Sequence, residues 1–188
     1  MRWPLILFLS LFLLQPLQAA VPEPPDDQLR ELLRQAIESS DSFADRFEAE
    51  VWLLDMSWRL EKVLPDDEKR IRLLKAIHYE ATRADLPPEL VLAVIQVESY
   101  FDPWAISVTG AQGLMQIMPF WLDEIGRPED NLFHIQTNLR MGCTILKYYL
   151  NMEHGDLTRA LARYNGSVGK FKYPNKVYEA LRTRWYRQ

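Results

Sequence analysis

Apolar residues recur at intervals of three and four along most of the chain, which is the spacing of one face of an α-helix. One series predicts a helix that begins near Asp41 or Ser42. Its apolar members are Phe43, Phe47, Val51, Leu54 and Trp58. An earlier helix is predicted from Asp26 to Ser39, because Asp26 and Asp27 can cap it after a proline-rich stretch.

Prolines, glycines and acidic residues divide the rest of the chain into further helices. Pro65 and Asp66 predict the start of one helix, whose apolar face is formed by Ile71, Leu74, Ile77 and Ala81. Later series predict helices over 136–152, from Leu157 to Tyr164, and around Val177 to Trp185. Neither an alternating strand pattern nor an internal repeat is found, so the sequence predicts an all-α fold.

One predicted helix differs from the others because it is apolar nearly all round. Pro87 and Pro88 suit its first turn, where a missing N–H costs nothing. The run that follows, residues 90–97, reads LVLAVIQV, and Pro103 marks its end. A helix without a polar face lies in the core, so we expect this helix at the centre of the domain.

The N-terminal segment has the pattern of a secretory signal peptide. Arg2 is followed by an uncharged apolar run over 5–14 and then by Ala19 and Ala20. The run is shorter than the about 20 residues that cross a bilayer, and no cysteine follows it as a lipid acceptor. We therefore predict a signal peptide over 1–19, a linker and helical extension over 20–64, and a catalytic domain over 65–188. An uncleaved anchor is the alternative.

Composition narrows the classes of function. The 188 residues carry a net charge of −4, which argues against a nucleic-acid partner. The single cysteine, Cys143, lies in an apolar helical series and is predicted to be a small buried side chain. Three scattered histidines and one cysteine do not favour a zinc site, and we predict no cofactor.

Glu98 is the residue that most suggests chemistry. It directly follows the apolar run, at the C-terminal end of the predicted helix. Apolar surroundings and the negative end of a helix dipole both raise the pKa of a carboxylic acid. A carboxyl that stays protonated near neutral pH can protonate a leaving glycosidic oxygen. A side chain that points to solvent would explain the same position, and the helix pattern alone leaves both open.

Four short motifs follow one another in this part of the chain. They are ESY at 98–100, AIS at 105–107, GAQGLMQ at 110–116 and ARYN at 162–165. Together they resemble the soluble-type (SLT) lytic transglycosylases, a family whose lysozyme-like fold is similar to that of goose-type lysozyme. The resemblance covers about residues 70–180 and excludes the N-terminal helices.

The resemblance implies a reaction on bacterial peptidoglycan. Glu98 would be a lone catalytic acid that protonates the bond between N-acetylmuramic acid and N-acetylglucosamine. It would then take a proton from the muramic 6-hydroxyl, which closes a 1,6-anhydro ring. The matching positions that would line the cleft and bind substrate are Ser107, Gly113, Met115, Gln116, Tyr164 and Asn165, with Ser99 in a supporting role. For Met115, core packing stays open.

Other readings of the sequence stay open beside this one. A muramidase that adds water would need a second carboxyl, and Asp102 is better explained as a turn residue. A more distant carboxyl such as Asp123 or Glu124 is not excluded by sequence. A wall-binding or assembly component without turnover is the second alternative.

The loop after Asn165 departs from the family pattern, so whether Tyr173 contributes to the cleft is undecided. The acidic N-terminal helices leave a protein partner open, and no membrane span is expected after signal cleavage.

Overall fold

The computed structural model describes residues 45–186, together with Glu31, Ser42 and Phe43. The predicted signal peptide and linker lie outside these residues, and so does the predicted helix over 26–39 apart from Glu31. The described chain is built from α1 Arg46–Leu60, α2 Asp67–Arg83, α3 Pro88–Glu98, α4 Phe120–Ile125, α5 Ile135–Met152, α6 Leu157–Tyr164, α7 Lys172–Ala180 and a π-helical turn Leu181–Trp185. The prediction of an all-helical fold is confirmed. Extended pairing within the described residues is limited to two isolated bridges, Ile106 with Gln112 and Gln112 with Ile117.

Most helix boundaries lie at the prolines, glycines and acidic residues that predicted them, but the helix predicted to begin near Asp41 or Ser42 begins at Arg46. Asp66 caps α2 by accepting a hydrogen bond from the backbone N–H of Lys69. Pro88 occupies the first turn of α3, as its missing N–H favours. After α5, His154 and Gly155 both adopt positive φ, at 52° and 88°, and their N–H groups donate to the carbonyls of Asn151 and Leu150. This left-handed turn ends the helix and allows the chain to reverse into α6.

The apolar helix α3 forms the centre of the domain. Leu90 to Ile95 are all buried, and α3 packs against α2, α7 and the π-helical turn. The indole N–H of Trp185, a fully buried residue of that turn, donates to Oε1 of Gln96 over 2.8 Å. These contacts hold the C-terminal end of α3 on several sides. No helix among the described residues, α3 included, is long and apolar enough to cross a membrane.

The apolar series that predicted α1 is not the buried stripe of that helix. Phe47 and Val51 are exposed, and the buried stripe instead contains Trp52, Leu53, Met56 and Leu60. Both the predicted series and the buried stripe have the spacing of a helix. The pattern therefore predicted the helix, but it could not predict which side of the helix faces the core. The choice is fixed by tertiary contacts: the Trp52 indole donates to Oε1 of Glu89, at the start of α3, over 2.9 Å.

Candidate active site

Glu98 is the last residue of α3, and most of its carboxyl surface is withdrawn from water. Burial raises its pKa from the ordinary 4.5 to about 7, while a hydrogen bond from Tyr173 and the positive charge of Lys176 oppose that rise. The Tyr173 hydroxyl donates to Oε1 of Glu98 over 2.6 Å. Near neutral pH this carboxyl therefore exists in both protonation states, which suits a group that must give and take a proton.

The chain turns sharply just after Glu98. Tyr100 and Phe101 both adopt positive φ, at 52° and 69°, a conformation that is costly for residues other than glycine. The turn sends Tyr100 to the surface and Phe101 into the core, where its ring lies 5.6 Å from that of Trp185. Asp102 accepts a hydrogen bond from the backbone N–H of Trp104. The predicted turn role of Asp102 is confirmed.

A cavity of about 320 Å³ opens beside Glu98. Its walls come from the end of α3, the loop after α6 and the first half of α7, and include Asn165, Ser167 and Tyr173. Within the described part of the chain, Glu98 is the one carboxylate that lines it. The same described residues contain no group of three His, Cys, Asp or Glu side chains suited to a metal ion.

The loop that carries GLMQ is attached to the end of α3 and to α6. The Ser99 hydroxyl donates to the carbonyl of Leu114 over 2.8 Å, which fits its predicted supporting position. The buried Tyr164 hydroxyl donates to the carbonyl of Met115 over 2.7 Å. Burial raises the pKa of Tyr164 well above its ordinary value, and the nearby Glu98 charge adds to the rise. Tyr164 therefore stays a neutral donor near the acid.

The side chain of Gln116 also closes this loop on itself. Its Nε2 donates to the carbonyls of Ala105 and Gly113 at 3.1 and 3.0 Å, and its backbone adopts φ 50°. Because the amide nitrogen is used within the loop, the carbonyl oxygen of the side chain is the group left to interact with a ligand. Gln116 is only partly buried, so such an interaction needs no opening of the core.

Two predicted cleft residues are not at the surface of the cleft. Met115 is fully buried, and its side chain fills the space above Gly142. Gly113 is also buried, with φ +74°, and a Cβ added there would clash with the side-chain amide of Asn138. The prediction that these two residues bind substrate directly is corrected: both pack the loop against α5, and for Met115 the core alternative holds.

The remaining predicted residues, Asn165 and Ser107, have different surroundings. Asn165 is exposed at the end of α6 and lines the cavity with Glu98. Ser107 is involved in a turn, where its hydroxyl accepts from the N–H of Ala111 and pairs with Thr109 at 2.9 Å. The structure therefore brings Asn165 to Glu98, while Ser107 shapes the turn that precedes GLMQ.

Asn138 holds the loop and was missed by the sequence reasoning. Its Oδ1 accepts from the N–H of Met115 over 2.8 Å, and its Nδ2 donates to the carbonyls of Gln112 and Leu132 at 2.9 and 2.8 Å. The side chain is 1% exposed. The sequence did contain a signal for this role. Asn138 lies three and four positions before Met141 and Gly142, on the same apolar face of the helix, and an asparagine on such a face must find buried hydrogen-bond partners.

The raised pKa of Glu98 predicts a pH-dependent loss of stability. The folded state binds this proton more tightly than the unfolded state, so stability is lost as pH rises from about 4.5 through about 7. Glu98→Gln removes the ionisation, so the variant should exceed the wild type in unfolding free energy by about 2–3 kcal/mol above pH 7. Urea unfolding of both proteins at several pH values measures this difference. A difference that does not change with pH would contradict the burial of the charge.

The chain is similar in sequence to a known protein family and to several known proteins. The model of the family described as Transglycosylase SLT domain matches residues 75–184. The "Transglycosylase" of Enterobacteria phage PRD1 is 34% identical over 104 residues, covering 52% of this chain and 38% of that protein. The "Membrane-bound lytic murein transglycosylase C" of Photorhabdus laumondii is 29% identical over 151 residues, covering 63% of this chain and 42% of that protein.

A solved structure of lytic transglycosylase Slt from Pseudomonas aeruginosa aligns with a TM-score of 0.47 and 23% identity, covering 81% of this chain and 29% of that one. The chain thus spans well under half the length of the relatives that it matches. The family match covers more than half of the chain and includes Glu98 and the four motifs. By that match, the chain belongs to the transglycosylase SLT domain family.

Proposed function

We propose that this protein is a peptidoglycan lytic transglycosylase, which cleaves the bond between N-acetylmuramic acid and N-acetylglucosamine and leaves a 1,6-anhydro-muramic end. Glu98 acts first as the acid and then as the base. The observation that carries the proposal is a partly buried carboxyl with a pKa of about 7, hydrogen-bonded to Tyr173 at the edge of a cavity. Membership of the SLT family supports the same reaction.

The first half of the reaction needs a proton donor. Protonated Glu98 gives its proton to the glycosidic oxygen, and the bond from that oxygen to C1 of the muramic residue breaks as positive charge develops at C1. The 2-acetamido group of the sugar can stabilise this charge from within the substrate. Glu98 is then a carboxylate, and the Tyr173 hydroxyl stabilises that charge by donating to it over 2.6 Å.

The second half uses the same carboxylate as a base. Glu98 removes the proton from the 6-hydroxyl of the muramic residue, whose oxygen attacks C1 and closes the anhydro ring. Glu98 returns to its protonated state, and no water enters the product. An ordinary glycosidase divides these roles between two carboxyls. A single carboxyl suffices here because the substrate supplies its own nucleophile.

Two further side chains are suited to hold the substrate. Asn165 shares the cavity with Glu98 and offers both a donor and an acceptor to sugar or peptide amides. Gln116 keeps its amide nitrogen in the loop and offers its carbonyl oxygen.

Mass spectrometry of the fragments released from purified peptidoglycan tests the proposed reaction. Anhydro-muramic products that disappear with Glu98→Gln are expected. Products heavier by one water would instead indicate a muramidase. Binding of the wild-type protein to peptidoglycan without release of fragments would favour the wall-binding alternative.

Tyr173→Phe should move the pH dependence of cleavage without abolishing it. The hydrogen bond from Tyr173 lowers the pKa of Glu98, so its loss raises that pKa. Because kcat/KM requires the protonated acid, its alkaline limb should move to higher pH, by about one unit. Tyr178→Phe is the matched control on α7, since that hydroxyl pairs with Thr158 at 2.8 Å and does not contact Glu98. An unchanged alkaline limb in Tyr173→Phe would contradict this role.

We also propose that the enzyme acts in the periplasm or outside the cell, where peptidoglycan lies. The support is the signal-peptide pattern over 1–19, with its apolar run and the alanines at 19 and 20. The extension before residue 65 would pack on the catalytic domain or bind a protein partner, and α1 does contact α2 and the π-helical turn.

A further inference from the structure

The C-terminal turn of the described chain connects helix α1 with the helix that carries Glu98. This π-helical turn, Leu181–Trp185, packs against both α1 and α3. The family match covers residues 75–184, so α1 lies wholly before the matched segment and Trp185 directly after it. Residues on both sides of the matched segment thus meet next to the helix of the proposed acid.

Two arginines join α1 to the π-helical turn by reciprocal hydrogen bonds. Nη1 of Arg59, near the end of α1, donates to the carbonyls of Arg184 and Tyr186 at 2.6 and 3.2 Å. In return, Nε and Nη2 of Arg184 donate to the carbonyl of Arg59 at 3.1 and 2.5 Å. Asp55 orients the Arg59 guanidinium through two further bonds, at 2.7 and 3.0 Å. Because a guanidinium is planar and donates in fixed directions, this pair of arginines sets the position of the turn on α1.

Trp185 carries this support to the chain around Glu98. Its ring is fully buried, and the Arg184 guanidinium lies 5.1 Å from the ring centroid. The indole N–H donates over 2.8 Å to Oε1 of Gln96, two residues before Glu98. The same ring lies 5.6 Å from the ring of Phe101, three residues after Glu98. Trp185 therefore contacts the chain on both sides of the proposed acid.

The turn after Glu98 depends on such support. Tyr100 and Phe101 both adopt positive φ, and such backbone persists only where its surroundings determine it. The burial of the Phe101 ring beside Trp185 offsets part of the strain. If Trp185 were displaced, the turn could relax and the Glu98 carboxyl would gain contact with water. The pKa of Glu98 is raised by burial, so it reports directly on such a change.

We propose that α1 is part of the catalytic unit: Arg59 and Arg184 hold Trp185 in place, and Trp185 in turn positions Glu98. The inference rests on the function proposed above and adds three positioning residues to it. None of the three lines the cavity beside Glu98, so they act through Gln96 and the strained turn. An extension that precedes the family match thereby contributes to the rate of the reaction.

Arg184→Gln is the first test, because it removes both hydrogen bonds to the carbonyl of Arg59 and the contact with the Trp185 ring. In the full-length protein, kcat for cleavage of peptidoglycan should fall about 5- to 30-fold, while KM stays within about twofold. Arg182→Gln is the matched control on the same turn, since Arg182 is exposed and pairs with Glu179 over 2.7 Å. It should keep the wild-type kcat. A loss that appears in KM with kcat unchanged would overturn the inference.

Titration of the Glu98 carboxyl decides the inference without turnover. Carbon-13 NMR of protein labelled at the glutamate carboxyls follows this group, and its signal is identified by its absence from Glu98→Gln. The wild-type midpoint should lie near the pKa of about 7. In Arg184→Gln the midpoint should be lower by about one pH unit, because water reaches the carboxyl. Arg182→Gln should keep the wild-type midpoint.

Trp185→Phe tests the same connection without touching α1. The substitution keeps an aromatic ring beside Phe101 and removes the N–H that Gln96 accepts. It should lower kcat and the Glu98 midpoint, and adding Gln96→Met should cause little further change, because the two residues share one hydrogen bond. A wild-type midpoint in Arg184→Gln and Trp185→Phe would overturn the inference, even if both proteins were less stable. If no substrate yields anhydro products, the proposed function fails, whereas the titration still decides whether these residues position Glu98.

Discussion

Glu98→Gln should lower cleavage of peptidoglycan by about a thousandfold or more while the protein stays folded. General acid catalysis contributes about 10²–10⁴-fold, and Glu98 is proposed for both proton transfers. The amide has the shape of the carboxyl and can still accept the Tyr173 hydrogen bond. It removes a charge that burial disfavours, so folding is not impaired. Rates of fragment release and circular dichroism, measured on the same samples, give activity and folding together.

Asp123→Asn and Glu124→Gln are the matched controls for this experiment. Both residues are exposed on α4 and were the distant carboxyls that a hydrolytic mechanism left open. Each should retain activity within about twofold, since surface substitutions rarely disturb the fold. Loss of activity in either variant comparable to that in Glu98→Gln would point to a two-carboxyl mechanism. Retention of activity in Glu98→Gln would remove Glu98 from the catalytic role.

Asn138→Ala should destabilise the protein by about 2–4 kcal/mol and reduce cleavage about 10- to 100-fold. The change removes three hydrogen bonds and leaves the N–H of Met115 and the carbonyls of Gln112 and Leu132 without this partner. The loop that carries Gln116 and contacts Ser99 and Tyr164 would lose its attachment to α5. Misplacement of a site by about 1 Å costs about 10² in rate. Urea unfolding measures the stability, and kcat/KM measures the effect on the site.

Asn151→Ala is the control for this prediction. It makes the same substitution on the same helix at a residue that does not hold the GLMQ loop. Asn151 is exposed near the end of α5, so the change should shift stability by less than about 0.5 kcal/mol. A similar loss in both variants would show that the effect does not depend on the three hydrogen bonds of Asn138, because helix propensity alone favours alanine over asparagine. An Asn138→Ala protein of wild-type stability would contradict the prediction, because it would show that water can replace the three hydrogen bonds of the Asn138 side chain.

The sequence could predict the helices because their causes are local. The prolines before α3 and the apolar run within it suffice to specify a buried helix that ends at Glu98. The same local pattern could not orient α1, since that helix has apolar residues on two sides. Its direction depends on contacts such as that of Trp52 with Glu89, 37 residues away. Orientation is therefore a property of the assembled domain.

In the candidate site, too, the sequence could predict only the features that have a local cause. Glu98 stood out because a carboxyl at the end of an apolar helix is unusual in its own sequence context. Its partner Tyr173 is 75 residues distant, and only the packing of α7 on α3 brings them together. Motif positions predicted that Gly113 and Met115 bind substrate, but both are buried. Which atoms of the loop face the cleft depends on how Asn138 holds the loop against α5.

In the proposed reaction, Glu98 alone cleaves the strand by using the substrate's own 6-hydroxyl, and no water takes part. Cleavage of purified peptidoglycan in water enriched in oxygen-18, followed by mass spectrometry of the new muramic ends, tests this most directly. We expect anhydro-muramic ends that contain no label and that are absent with Glu98→Gln. Reducing ends that carry one labelled oxygen would contradict the claim, because they would show that water and not the 6-hydroxyl attacked C1.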